Sequence, residues 1–209
     1  MGVPVLIMGP SGSGKSASLR NFKNNVLLIN VINKPLPFRK NEKILEYSTD
    51  EYLKIKECLK KAVENGYQSA VIDDAGYLLT SKFMANHRQS KGNAQFEMYN
   101  EIADNFYSLL RFIVTDLPKE QIVYIVMHEQ KNDFGEVRPK TIGKLLDDKV
   151  CIEGMFTIVL HSMKLDNKYV FATNTDGLDV TKSPIGMFEQ EYIDNDLQLV
   201  DDTIREYYK

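Results

Sequence analysis

The chain has 209 residues, 43% of them hydrophobic, which is enough for one well-buried core with at most a small appended subdomain. Its net charge of −3 excludes a global basic field for holding nucleic acid, so such a contact has to come from a local patch or an oligomeric channel. The two cysteines, Cys58 and Cys151, lie far apart without C-x-x-C spacing, which excludes a disulfide framework and favours a reducing, cytoplasmic location.

The first apolar run, residues 3–8, has the length of a buried strand. It is too short for a signal peptide or a membrane span, so we expect no membrane partner. Because the run starts so close to the beginning of the chain, we expect no separate N-terminal domain.

A glycine-rich loop follows this strand at residues 9–16, with the sequence Gly-Pro-Ser-Gly-Ser-Gly-Lys-Ser. It fills every fixed position of the phosphate-binding motif G-x-x-x-x-G-K-[ST]. Its glycines permit backbone angles that turn successive N–H groups toward phosphate oxygens, and a helix starting after the loop adds positive potential. Lys15 is expected to reach the β- and γ-phosphates, and the Ser16 hydroxyl is expected to coordinate Mg²⁺.

The loop therefore predicts ATP and Mg²⁺ as cofactors. The predicted nucleotide contacts are Gly9, Pro10, Ser11, Gly12, Ser13, Gly14, Lys15, Ser16 and Ala17. Several unrelated enzyme classes use the same loop, so the motif alone does not name the reaction.

Strand and helix patterns alternate after the loop. Apolar runs predict buried strands at residues 26–31, 69–73 and 122–127, and a short edge strand is expected at 43–47. An apolar period of three to four residues predicts two amphipathic helices. The first carries Leu53, Leu59 and Val63; the second spans residues 93–115 with Phe96, Tyr99, Ala103, Phe106, Leu110 and Ile113 on one face.

Two aspartates end the third strand at residues 71–74, with the sequence Val-Ile-Asp-Asp. An acidic residue at this point is typical of a Walker B strand, and Asp73 is expected to hold Mg²⁺ through water. Asp74 is expected to polarise the attacking water as the catalytic carboxylate. Glu46 and Glu129 are rivals for that role, and both aspartates could instead simply end a strand and cap the next turn.

His128 follows the fourth strand, where open α/β sheets place their ligands. A polar side chain there can sense the γ-phosphate, and a capping or solvent-facing histidine is the structural alternative.

The polar stretch from residue 129 to 144 mixes cations with one aromatic residue. Cations track phosphates and an exposed aromatic ring can stack on a base, which is the physical requirement for binding single-stranded DNA. A solvated surface loop is the alternative, because acidic residues dilute the positive field. The predicted DNA contacts are Lys131, Phe134, Arg138, Lys140 and Lys144.

The last third changes character. Residues 156–163 and 169–173 flank a turn and predict an antiparallel hairpin, and a final helix is expected to carry Val200, Ile204 and Tyr207. The whole pattern predicts an α/β fold of the P-loop NTPase type, with a mainly parallel sheet flanked by helices. We expect one domain over residues 1–209, with a core of about 1–150 and an antiparallel extension over 151–209.

Four segments together resemble the phage-encoded RecA-like P-loop nucleotide-binding proteins, an AAA-type group that includes ATP-dependent single-strand annealing proteins. They are the phosphate loop, residues 71–74, residues 124–129 (Tyr-Ile-Val-Met-His-Glu) and the tail segments 169–173 and 182–188. The resemblance implies a RecA-like ATPase core in a ring or filament of identical chains. It also implies work on single-stranded DNA in phage replication, annealing or recombination, with a phage single-strand-binding or replication protein as a possible partner.

The resemblance also implies roles for individual residues. His128 resembles the polar γ-phosphate sensor, residues 130–144 would occupy the DNA-binding loop, and Lys182 resembles the lysine that reaches a neighbouring subunit's nucleotide. RecA has a glutamate after its second strand, whereas residues 29–33 of this chain offer only asparagines as polar residues. The resemblance therefore implies that Asp74 or Glu46 substitutes, or that hydrolysis is slow.

The sequence leaves four functions open, one of which is a regulatory nucleotide-binding module with little turnover. The leading one is a Mg²⁺-ATP-dependent ATPase that acts on single-stranded DNA. The alternatives are an AAA-type motor or loader acting on a protein partner and a small-molecule kinase, which is disfavoured because the chain has only six arginines, with just Arg138 in a plausible lid. A transporter ATPase is excluded because no Leu-Ser-Gly-Gly-Gln-like signature precedes residues 71–74.

Overall fold

The structure, a computed structural model, describes residues 1–88, 92–142 and 150–209. Nine β-strands occur within these residues and form one sheet. The strands are β1 (Val3–Gly9), β2 (Val26–Asn30), β3 (Ile44–Tyr47), β4 (Ser69–Asp73), β5 (Ile122–Lys131), β6 (Val137–Pro139), β7 (Ile158–Leu165), β8 (Lys168–Ala172) and β9 (Tyr192–Asp194).

Four α-helices and two short 3₁₀ helices occur in the same part of the chain. The α-helices are α1 (Tyr52–Glu64), α2 (Gly76–Asn86), α3 (Asn93–Asp116) and α4 (Leu197–Tyr207), and the 3₁₀ helices are Ser16–Asn21 and Ile152–Met155. No helix in the described residues is both long enough and apolar enough to cross a bilayer.

The strand order is β3-β2-β4-β5-β1-β7-β8-β9, with β6 paired to β5 outside this path. Strands β1, β2, β3, β4, β5 and β7 pair in parallel, and β6, β8 and β9 are added antiparallel. The predicted, mainly parallel α/β sheet with an antiparallel hairpin in the last third is therefore confirmed. The hairpin turns at Asp166 and Asn167, whose φ angles of 46° and 62° match a two-residue turn that needs positive φ.

Successive residues of each strand point to opposite faces of the sheet, and each face has its own hydrophobic core. One core packs the sheet against α1, α2 and α3, with Ile55, Leu79 and Phe106 among its buried residues. The other packs the sheet against the 3₁₀ helix Ser16–Asn21 and against α4, with Leu19 and Val200 buried. Because β1 lies inside the sheet with helices on both faces, its carboxyl end is held rigidly.

Two sequence expectations about these elements are wrong, and two further elements are not predicted by the sequence. Leu53 and Phe96, which we placed in the apolar stripes of α1 and α3, are 75% and 72% exposed, because each lies in the first turn of its helix, beyond the layer that the sheet covers. The fourth strand does not stop at residue 127 but runs to Lys131 and turns back into β6, so the described part of the 130–144 loop forms a β-hairpin. The elements α2 and β9 have no counterpart among the predicted elements.

Candidate nucleotide-binding site

The glycine-rich loop leaves the carboxyl end of β1, between β5 and β7, with Gly9 beside His128 in the sheet register. Inside the loop, the Lys15 Nζ donates hydrogen bonds to the carbonyl oxygens of Gly9 at 2.8 Å and Pro10 at 2.7 Å. Lys15 is only 5% exposed, and this burial lowers the pKa of its ammonium group. The ammonium therefore lies within the loop, where a bound phosphate would meet it.

Two of the loop glycines are required by close contacts. A Cβ on Gly9 would lie 2.3 Å from the carbonyl oxygen of Ser162, and a Cβ on Gly14 would lie 2.9 Å from the Asn195 Oδ1. Gly14 also has a φ of +99°, which side-chain-bearing residues rarely adopt. These positions therefore accept only glycine without a shift of the loop.

A chain of hydrogen bonds from the last third of the protein supports the loop from behind. The Ser162 Oγ donates to the carbonyl oxygen of Ser13 at 2.9 Å, and the Asn195 Nδ2 donates to the Ser162 Oγ at 3.3 Å. Arg20 then donates to the carbonyl oxygen of Asn195 at 3.0 Å. Sequence reasoning missed Ser162 and Asn195, because no motif links residues so far from the loop along the chain.

The helix after the loop differs from a full α-helix. It is a six-residue 3₁₀ helix, Ser16–Asn21. Its dipole therefore adds less positive potential than the sequence expectation assumed, since the macrodipole grows from aligned peptide units. The backbone N–H groups of the glycine loop and the Lys15 ammonium are the other sources of positive potential at this point.

Ser16 and Asp73 meet at the carboxyl end of β4. The Ser16 Oγ donates to the Asp73 Oδ1 at 3.0 Å, and Asp73 is 1% exposed. Burial, followed by the neighbouring charge of Asp74, raises the pKa of Asp73. A cation at this point would relieve both effects, and hydroxyl and carboxylate oxygens are the ligands that Mg²⁺ prefers.

Ser16 and Asp73 supply too few oxygens to hold Mg²⁺ by themselves, so phosphate oxygens would have to complete its coordination. No group of three histidine, cysteine, aspartate or glutamate side chains in the described residues could hold a metal ion by itself. Mg²⁺ in nucleotide sites is usually bound by one or two protein oxygens together with phosphate oxygens and water. The Ser16 and Asp73 pair therefore fits a metal that arrives with the nucleotide.

Asp74 follows Asp73 and turns the chain from β4 into α2. Its φ of 58° is left-handed, a conformation that aspartate tolerates better than most residues, and its side chain is 3% exposed. One carboxylate oxygen accepts a hydrogen bond from the Lys34 Nζ, and the other lies 3.5 Å from the His128 Nε2. Asp74 is therefore a buried carboxylate between two nitrogen-bearing side chains.

His128 lies on β5 beside the phosphate loop, with the edge of its ring toward Tyr77 at 6.1 Å between ring centroids. Burial, followed by the positive charge of Lys15, lowers the pKa of His128. At neutral pH the imidazole is therefore uncharged and can donate one hydrogen bond and accept another.

A cavity of about 460 Å³ opens among these groups. From the predicted set it is lined by Ser11, Gly12, Gly14, Lys15, Ser16, Ala17, Asp74 and His128. It is also lined by Lys34, Pro35, Pro37 and Tyr169, which sequence reasoning did not assign to the site. Residues 34–37 follow the carboxyl end of β2, and the rule that ligands bind at the carboxyl ends of parallel strands could have found them.

Glu46 lies apart from this cavity. It is on the edge strand β3, where it accepts hydrogen bonds from Lys40 at 2.9 Å and from Asn30 at 2.8 Å. These two bonds, the one from Lys40 first, lower the pKa of Glu46. Glu46 lines a separate cavity of about 530 Å³ next to α1.

Glu129, the other rival for the catalytic carboxylate, is paired with His161. The Glu129 Oε2 lies 2.7 Å from the His161 Nε2, and the Asp179 Oδ2 lies 3.0 Å from the His161 Nδ1. Burial works against the charged imidazole, but the two carboxylates outweigh it and raise the pKa of His161 to about 9. His161 is therefore protonated at neutral pH and ties β5, β7 and the segment around Asp179 together.

Most of the predicted DNA contacts lie on the hairpin of β5 and β6. Phe134 is 88% exposed at its tip, and Arg138 is on β6 with its Nη2 3.7 Å from a Glu136 carboxylate oxygen. Lys131 and Lys140 line a third cavity, of about 930 Å³, which is also lined by His128. Lys144 lies outside the described residues.

Lys182 is beside β7. Its backbone N–H donates to the carbonyl oxygen of Val159 at 3.0 Å, and its carbonyl oxygen accepts from the Val159 N–H at 2.8 Å. Lys182 is not among the residues that line the cavity at the phosphate loop.

Comparison with known families gives one match in this chain. A family model described as an AAA domain matches residues 1–185. A search of curated proteins finds no match. The matched range contains the phosphate loop, Asp73, Asp74 and His128, and it ends before Asn195.

Proposed function

The chain belongs to the AAA domain family, whose members are ATPases that bind nucleotides, and from this premise we propose that it is a Mg²⁺-dependent ATPase acting on single-stranded DNA. Family membership supports the ATPase part. The DNA part rests on the hairpin of β5 and β6, and the RecA-like annealing role rests on the sequence resemblance.

The observation that carries the ATPase part of the proposal is the Ser16 to Asp73 hydrogen bond of 3.0 Å. It joins two segments 57 residues apart in sequence and brings the end of the phosphate loop to the acidic end of β4. This is the pairing that a nucleotide with Mg²⁺ requires, because the hydroxyl and the carboxylate have to reach one metal together. When bound, Mg²⁺ would neutralise phosphate oxygens.

The reaction we propose is hydrolysis of the terminal phosphate. Water attacks the γ-phosphorus, the bond to the bridging oxygen breaks, and ADP and phosphate leave. Asp74 is the carboxylate we favour for accepting the proton of the water, because it lines the cavity, whereas Glu46 lines a different one. His128, uncharged at neutral pH, is suited to hydrogen-bond the γ-phosphate or the water.

The hairpin supports the DNA part of the proposal through its composition and position. It exposes Phe134, Arg138 and Lys131, and it continues the same strand that carries His128. A change at the γ-phosphate would thus reach the hairpin through one strand. Aromatic rings and cations on such a surface suit single-stranded nucleic acid.

The experiment that tests this function measures steady-state ATP hydrolysis with and without a single-stranded oligonucleotide, together with the mass of the protein in solution. We expect DNA to stimulate hydrolysis and to produce a larger particle. A Lys15→Ala variant should bind no nucleotide, and a Lys54→Ala variant on the surface of α1 should behave as the native chain. A hydrolysis rate that does not change when DNA is added would overturn the proposed action on DNA and favour a protein substrate.

A further inference from the structure

Lys34 occupies a fixed position at the nucleotide cavity, although no motif marks it. Its backbone is attached to one side chain: the Asn30 Oδ1 accepts from the Lys34 N–H at 3.2 Å, and the Asn30 Nδ2 donates to the Lys34 carbonyl oxygen at 2.8 Å. Asn30 is paired with Asp73 in the register of β2 and β4. The segment is therefore held next to the acidic end of β4.

The Lys34 side chain reaches across the cavity to Asp74. Its Nζ donates to the Asp74 Oδ2, and the two side chains are 40% and 3% exposed. Burial works against the ammonium form of Lys34, but the hydrogen bond and charge of Asp74 outweigh it and raise its pKa. The Lys34 ammonium is thus charged and exposed enough to move. The Asp74 carboxylate to which it is bound is buried and fixed in place.

The charges at the cavity balance only with Lys34 included. Asp73 and Asp74 contribute two carboxylates, and Lys15 and Lys34 contribute two ammonium groups. A nucleoside triphosphate adds further negative charge, which two unpaired carboxylates a few ångströms away would repel. An ammonium group within reach of both Asp74 and a phosphate oxygen would offset part of that repulsion.

On the basis of the proposed ATPase function, we propose that Lys34 is a second phosphate-binding cation. In the nucleotide-free chain it neutralises Asp74, and when ATP binds it transfers its hydrogen bond to the terminal phosphate. Asp74 is then free to accept the hydrogen bond of the attacking water. Lys15 serves the β- and γ-phosphates from inside the loop, and Lys34 approaches from the opposite wall, where the acidic strand end lies.

This arrangement makes Lys34 a residue that distinguishes ATP from ADP. ADP lacks the terminal phosphate, so Lys34 remains on Asp74 when ADP is bound. Losing Lys34 should therefore weaken ATP binding much more than ADP binding. A residue with only a structural role would weaken both nucleotides equally.

The test compares equilibrium affinities for ATPγS and ADP in Lys34→Gln, Lys34→Arg and Lys40→Gln. Lys40 is the matched control, since it is similarly exposed at 43% but pairs with Glu46 outside the cavity. We expect Lys34→Gln to weaken ATPγS about tenfold or more with ADP changed less than about twofold, because a hydrogen bond between charged groups is lost. Lys34→Arg should recover part of the loss, and Lys40→Gln should leave both affinities unchanged. Equal weakening of both nucleotides, or no weakening, would overturn the proposal.

A second comparison separates a phosphate contact from mere neutralisation of Asp74. In an Asp74→Asn background, Lys34→Gln should still weaken ATPγS by a similar factor, because the phosphate contact is still lost. If removing the Asp74 charge cancels the effect, Lys34 acts only on Asp74 and the proposal is wrong. Native protein that binds neither nucleotide would instead count against the proposed ATPase function.

Discussion

His161 is held between Glu129 and Asp179, at 2.7 Å and 3.0 Å, and is 7% exposed. Strands β5 and β7 and the segment before Thr181 all meet at this ring. The His161 imidazole stabilises the fold between these two carboxylates only while it is protonated. When it loses its charge, both carboxylates are left without a cation.

The stability of the protein should therefore fall with rising pH in a defined window. The folded pKa of His161 is raised to about 9 from its ordinary 6.5, so its contribution is complete below pH 6.5 and is lost as pH rises through 9. Urea unfolding of the native chain should show a loss of about 1–3 kcal/mol across this window.

A His161→Gln variant is the control for that experiment. It should be less stable at pH 6.5 and should lose less stability up to pH 9.5, because the titrating group is gone. Other groups titrate in both proteins and cancel in the difference. Parallel pH dependences for the two proteins would contradict the assignment.

Part of the candidate site could be predicted residue by residue. The phosphate loop is a continuous motif, and Asp73, Asp74 and His128 follow apolar strand runs, so a local pattern marks each of them. Ser162, Asn195 and His161 carry no such mark, because their partners lie in other parts of the chain. Only the packing of the sheet brings Ser162 and Asn195 to the loop and His161 to Glu129 and Asp179.

At the scale of elements, the hairpin of β5 and β6 shows why a polar segment is hard to interpret. Its residues lack the alternation of apolar and polar side chains that marks a half-buried strand, and β6 has only three residues. The hydrogen bonds that define it run between backbones, for example from the Lys140 N–H to the His128 carbonyl oxygen at 2.7 Å. The buried strands β1, β2 and β4, by contrast, are apolar runs whose predicted bounds agree with the structure to within one residue.

The hairpin also gives a direct test of nucleic-acid binding. Changing Arg138 and Lys140 together to alanine should weaken binding of a labelled single-stranded oligonucleotide, because two cations near phosphates are removed. The slope of log affinity against log salt should fall in magnitude by about 1.4, which corresponds to two lost phosphate contacts on a single strand.

The matched control for this double variant changes Lys54 and Lys209 to alanine, two exposed lysines in ion pairs on α1 and at the end of the chain. This control should keep the native affinity and slope. An unchanged salt slope in the hairpin variant would show that DNA, if bound, is bound elsewhere.

At the scale of the whole molecule, the C-terminal segment is part of the second core. Helix α4 buries Leu197, Val200 and Ile204 against the sheet, and the Asp201 carboxylate accepts hydrogen bonds from Ser69 at 2.7 Å and from Tyr124 at 3.0 Å. These contacts lie beyond residue 185, where the family match ends.

A chain that stops after residue 185 should therefore fail to unfold cooperatively and should bind ATPγS poorly. Burying each of the three apolar side chains contributes about 1.5–3 kcal/mol, and their sum is comparable to the whole stability of a typical domain. Circular dichroism during heating and a nucleotide titration measure the two effects.

A chain that stops after residue 207 is the control, because it loses only Tyr208 and Lys209, both exposed, and should melt as the full chain does. Native-like melting and nucleotide binding by the 1–185 chain would show that the last segment is dispensable.

The α/β architecture could be predicted from the sequence, because buried parallel strands are apolar over their whole length and helices have their own period. The position of the last segment against the phosphate loop could not. It depends on β9 pairing with β8 and on α4 packing on the face already occupied by the 3₁₀ helix Ser16–Asn21, long-range contacts without a local signal. The single-domain organisation over residues 1–209 stays a prediction.

The sheet ends in two short strands, β3 with four residues and β9 with three. Exposed strand edges are templates for joining sheets between molecules, and short edges suppress this. If copies of this chain form a ring or filament, they would therefore meet through side-chain surfaces while their sheets stay separate. Neighbours joined in that way would be able to rotate against each other without breaking a shared backbone ladder.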